Sequence, residues 1–198
     1  MGGAALAVVG TVFLCISANS PLELAAYIIY GLSLILLLST SATYHLISDH
    51  KLKLIAALRK VDHAMIFVLI AGSYTPVMAR CFRDNPFLMK LSLSLMWAIV
   101  IVGIILKIFF TGRFRWLSTI LYIALGWVAL IVIVPLWKAL GFWGMFWMFA
   151  GGVAYTTGAV MYALKKPKMA KNFGFHDLFH ILVLVGAACH YVLILVFC

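Results

Sequence analysis

The stretch LSLSLMWAIVIVGIILKIFF, residues 91–110, holds twenty residues and one charge, Lys107. A helix of that length is about 30 Å long, the thickness of a bilayer's hydrocarbon core. Runs of this kind recur along the chain, and they constrain its fold more than any other feature. They predict spans at 4–18, 22–45, 61–79, 88–110, 116–135, 140–164 and 175–197. Two-thirds of the 198 residues are hydrophobic (66%) and one-tenth are charged (10%). No soluble domain of this size has enough interior to hide that much apolar surface. The expected fold is all-α: one domain over residues 1–198, a seven-transmembrane helix bundle.

The first run is read as a retained span and not as a secretory signal. It has no basic segment before it, and the first charge in the chain is Glu23. Cys15 has no lipobox around it. Cys15, Cys81, Cys189 and Cys198 lie in or beside apolar runs with no paired spacing, which predicts buried free thiols.

The net charge of +10 resembles that of a nucleic-acid binder, but its distribution assigns it to membrane topology. With seven spans, the connections after spans two, four and six share one side. They hold Lys51, Lys53, Arg59, Lys60, Lys107, Arg113, Arg115, Lys165, Lys166, Lys168 and Lys171, eleven in all. The opposite side holds four: Arg80, Arg83, Lys90 and Lys138. Basic connections stay inside. The N-terminus is thus expected in the cytoplasm and the C-terminus outside. The expected partners are membrane lipids, whose anionic headgroups the basic side can touch, and no nucleic acid.

That orientation brings the rare polar residues to one depth. Span two ends at the cytoplasmic face with Ser41 and His45, span three begins there with Asp62 and His63, and span seven begins there with His176 and His180. Residues four apart share a helix face, about 6 Å apart along the axis. His176 and His180 can therefore ligate one metal ion, and His45 can supply a third nitrogen. Three imidazoles with one open position suit catalytic zinc, and no cysteine or methionine in the cluster favours a softer metal. Asp62 could ligate the metal or accept a proton from water bound to it. Ser41 could bond to Asp62 or to an oxyanion.

Each residue also has a plainer reading. Asp62 can be an N-cap of span three. Ser41 can bond back to its own helix, Asp177 can match the dipole of span seven, and a lone histidine can sit hydrated among headgroups. Their coincidence at one depth on three spans is what favours a metal. His190, 14 residues after His176, has the spacing of a di-haem helix, but the matching position on span two is Gly31. Trp143 and Trp147 suit an interfacial belt, Gly151, Gly152 and Gly158 suit close helix packing, and Pro135 suits a helix end.

Three motifs in order, S-x-x-x-H at 41–45, DHAMIFVLIAGSYTP at 62–76 and HDLFHILVLVGAACHY at 176–191, carry a likeness. The sequence resembles the haemolysin III group of the progestin and adipoQ receptor (PAQR) family over almost its whole length. The resemblance implies a zinc site near the cytoplasmic face with ligands His45, His176 and His180, Asp62 holding a water on the metal and Ser41 beside it. It also implies amide hydrolysis of lipids, as proposed or shown for related receptors and alkaline ceramidases, and residence in a bacterial plasma membrane. Unlike the usual bacterial members, the chain passes directly from Met1 into GGAALAVVG, so either the sequence is truncated or span one is abbreviated. Three functions follow in order of preference. They are a zinc-dependent hydrolase of lipid amides or esters, a receptor-like or regulatory protein with structural zinc, and a channel or cytolysin.

Overall fold

The computed structural model describes residues 2–46, 52–109, 115–166 and 174–198. All regular structure among them is helical: α1 (Gly2–Ser17), α2 (Pro21–Leu46), α3 (Leu52–Cys81), α4 (Pro86–Phe109), α5 (Arg115–Gly126), a 3-10 helix (Val128–Val132), α6 (Ile133–Leu164) and α7 (Phe175–Phe197). Helices α1 to α4 form one compact unit, and α5 to α7 form the second.

Local chemistry sets several ends. Ser20 precedes Pro21, whose missing N–H costs nothing in a first turn. The Ser20 hydroxyl accepts the Glu23 N–H at 3.2 Å, while the Glu23 carboxylate reaches back to the Asn19 N–H at 2.9 Å. This is the reciprocal logic of a capping box. Asn85 repeats half of it before Pro86, accepting the Leu88 N–H at 3.1 Å.

In the first unit, consecutive helices pack antiparallel. A Cβ on Gly31 of α2 would overlap Thr11 of α1, and one on Gly72 of α3 would overlap Ser33 of α2. The Trp97 indole of α4 donates to the Thr75 hydroxyl of α3 at 3.3 Å, and Gly103 of α4 lies under the Phe67 ring. Hydroxyls within the spans bond back to their own helices. Thr11 donates to Ala7 at 2.6 Å, Ser33 to Tyr30 at 2.7 Å and Thr75 to Ala71 at 2.8 Å. Such bonds satisfy a polar side chain where no water can.

Among the described residues, five stretches are long and apolar enough to cross a membrane: Pro21–Tyr44, Lys60–Cys81, Pro86–Leu106, Thr119–Leu164 and Leu178–Phe197. Helix α1 is apolar but has 16 residues, about 24 Å of helix. Thr119–Leu164 has 46 residues. If straight it would extend about 69 Å, more than twice a hydrocarbon core. It doubles back instead. Trp127 donates to the Thr156 hydroxyl at 2.9 Å, and its ring centroid is 6.0 Å from that of Phe149. Gly141 lies midway in sequence between Trp127 and Thr156. Its φ of 64° and ψ of −173° break α6 there, in a region open to glycine and strained for other residues.

The break falls later than the hydropathy pattern suggests. The connection expected between 135 and 140 is helical, and Pro135 occupies the first helical turn after the 3-10 segment. A proline lacking its N–H is tolerated there because a first-turn N–H has no partner within the helix. After Gly141, α6 runs against α7 along a seam of small residues. Gly144 faces Phe197, Gly151 faces His190, and Gly158 faces Leu182 and Phe179. Gly152 faces the other way, where a Cβ would lie 3.7 Å from the Trp127 ring.

Candidate functional site

Helix α3 begins well before the apolar run that it carries. Residues 52–60, LKLIAALRK, are mostly strong helix formers with no glycine or proline to stop them. Asp62 is therefore ten residues inside α3 and cannot serve as its N-cap, so that plainer reading falls. The residue is 7% exposed, and Nδ1 of His63 lies 3.7 Å from its Oδ2. A carboxylate buried at the level of a membrane span is costly, and such residues mark functional sites by default.

The seam between α2 and α3 gives Asp62 its depth. Gly72 lies against Ser33, and a Cβ on it would lie 3.5 Å from the Ile29 carbonyl oxygen. Asp62 lies ten residues before Gly72, and in an antiparallel pair that is the level of Thr43, ten after Ser33. Asp62 thus lies level with the turn of α2 between Ser41 and His45. The first unit brings Ser41, the His45 backbone and Asp62 to one level near the shared end of α2 and α3. Thr43 itself bonds back to the Ser39 carbonyl at 2.8 Å.

His176 and His180 lie in the first two turns of α7, in the second unit. The His180 ring is half-buried, its centroid 5.4 Å from that of Phe179. Phe179 in turn lies 5.1 Å from Tyr162 of α6. The side chains of His45, His176 and Asp177 lie outside the described residues. So do Lys51, Arg113, Lys168 and Lys171 of the basic connections. Among the described residues, no three His, Cys, Asp or Glu side chains form a group able to hold a metal ion. Two of the three expected ligands, His45 and His176, have side chains outside those residues. His190 lies apart from this level, deep in the α6–α7 seam, with Nε2 3.4 Å from the Met148 carbonyl oxygen. Its environment is not legible from the di-haem spacing. The available signal is the seven-residue repeat of Gly144, Gly151 and Gly158 on the facing helix.

A model of the family described as "Haemolysin-III related" matches residues 1–191. The chain belongs to the haemolysin-III related family. Among its relatives, the hemolysin-3 homolog of Bacillus subtilis (strain 168) is 35% identical over 202 residues, covering 99% of this chain and 89% of that protein. Hemolysin-3 of Bacillus cereus is 35% identical over 189 residues, covering 94% and 82% respectively. A rice protein, the heptahelical transmembrane protein ADIPOR3 of Oryza sativa subsp. japonica, is 31% identical over 173 residues. The alignment covers 78% of this chain and 42% of the rice protein. This haemolysin-III related chain is a multi-pass integral membrane protein.

Proposed function

We propose that the protein is a seven-crossing membrane hydrolase that uses zinc to cleave lipid amides or esters near the cytoplasmic face of a bacterial plasma membrane. On this reading α1 to α4 make four crossings, the hairpin about Gly141 makes two and α7 makes one. The positive-inside distribution then puts the N-terminus in the cytoplasm and the C-terminus outside. The observation that carries the reading is the buried Asp62, ten residues inside α3 and level with Ser41 and His45.

The donor set fits zinc. His176 and His180 are one turn apart, and His45 is one turn from Ser41 at the level of Asp62. These three histidines would hold the ion, which when bound lowers the pKa of water to about 7 and polarises a carbonyl. The other groups belong to the chain. Asp62, held away from bulk solvent, takes the proton from the attacking water and returns it to the leaving amine or alkoxide. Ser41, at the same level on α2, donates a hydrogen bond to the oxygen that gains charge. The bilayer presents the acyl chain laterally, so no large soluble pocket is needed.

The test pairs zinc content with hydrolysis. Gently purified protein should carry about one zinc per chain, in keeping with a three-imidazole site. It should also release fatty acid from some member of a panel of lipid amides and esters. Alanine at His45, His176 or His180 should remove both metal and activity. Protein that retains zinc but hydrolyses nothing in the panel would favour the regulatory reading with structural zinc. The names of the two Bacillus relatives favour a further reading, cytolysis. Lysis of erythrocytes by the Asp62→Asn and His180→Ala variants at wild-type rates would separate it from hydrolysis.

A further inference from the structure

The seam between α6 and α7 contains a reciprocal pair of notches. Gly151 of α6 lies under the His190 ring of α7, so close that a Cβ there would overlap the imidazole. Four residues along α6, Tyr155 lies over Gly186, four residues back on α7, and a Cβ on Gly186 would meet the Tyr155 ring at 2.9 Å. The two rings meet edge to face across the seam, with centroids 5.3 Å apart and planes at 71°. His190 Nε2 also lies 3.4 Å from the Met148 carbonyl oxygen. A carbonyl only accepts, so Nε2 carries the hydrogen.

Each helix thus inserts a ring into a gap left by a glycine on the other. A slide of one residue along the seam, about 1.5 Å, would drive both rings onto side chains. Leu and Val neighbours tolerate small slides by changing rotamer. A flat ring seated on a bare backbone does not. His190 lies ten residues beyond His180, about 15 Å along the same rigid helix, so whatever holds His190 in register also fixes the depth of His180 and His176.

We propose that His190 is a positioning residue that locks α7 against α6 and thereby holds His176 and His180 at the depth where they ligate metal. The metal part of this inference rests on the zinc reading above. The register part does not.

Two readouts on the full chain in membranes, with its four cysteines replaced by alanine, separate these parts. Register is read by an oxidative cross-link between cysteines placed at Gly158 and Leu182. A Cβ at Gly158 would lie 3.2 Å from the Leu182 Cβ, close to disulfide range. Site geometry is read by the ligand-field absorption of the cobalt(II)-loaded protein, which a role in fold stability alone would not move. His190→Ala should lose the cross-link, shift the cobalt bands and weaken cobalt binding about tenfold, the lower range for loss of an outer-shell support. His190→Gln, whose amide can replace the Nε2 donor, should restore both. Gly151→Ala should reproduce the His190→Ala defect, and Gly151→Ala combined with His190→Ala should recover the cross-link. An unchanged cross-link and unchanged bands in His190→Ala would overturn the proposal. A wild-type chain that binds no cobalt yet needs His190 for the cross-link would overturn the metal part together with the zinc reading.

Discussion

Substituting Asp62 by asparagine changes one proton-accepting oxygen and almost nothing else. The two residues have nearly the same volume and similar helix propensity, and position 62 is in a helix interior, not at a cap. At 7% exposure the carboxylate is withdrawn from water, and desolvating a charge is costly. Asparagine carries no charge and avoids part of that cost. Asp62→Asn should therefore fold at least as stably as the wild type in detergent and should keep its zinc. Its activity should fall by about 10²–10⁴-fold, the usual worth of a general base. That range corresponds to about 2.7–5.4 kcal/mol of lost transition-state stabilisation. The assay is initial-rate release of fatty acid from the best substrate in the lipid panel, beside metal analysis and thermal unfolding of the same preparation. Wild-type turnover by Asp62→Asn would refute the assignment of Asp62 as base. Loss of zinc with activity would instead make Asp62 a direct ligand.

Three further outcomes are expected. A tag after Cys198 should be reachable from outside intact cells and one near Lys168 should not; the reverse labelling would invert the proposed topology. Gly72→Ala should destabilise the α2–α3 seam by about 1–3 kcal/mol through overlap with Ser33, and adding Ser33→Gly should recover most of it, as read by thermal unfolding. Thr156→Val should strand the Trp127 N–H, now bonded at 2.9 Å, and cost about 0.5–1.5 kcal/mol, while Thr156→Ser should cost less.

The sequence alone determined the elements that depend on solvent transfer. Apolar length located the long helices, and the bias of lysine and arginine yielded a topology to test, because both act on each segment separately. The motifs around Ser41, Asp62 and His176 pointed to the family before any contact was known, because they are local strings of residues. Hydropathy could not locate the start of α3, since helix propensity carries residues 52–60 beyond the apolar run and moves Asp62 from a cap to an interior site. It placed the break between spans five and six at 135–140, a few residues early, since only the backbone shows that Pro135 sits in a helical first turn and that Gly141 carries the break, with Trp127 meeting Thr156 across the hairpin. The seat of Ser33 on Gly72, and the seat of His190 on Gly151, were decided only by tertiary packing. Both depend on how close two backbones approach, which is set by the side chain missing from a glycine on one helix and the bulk facing it on another.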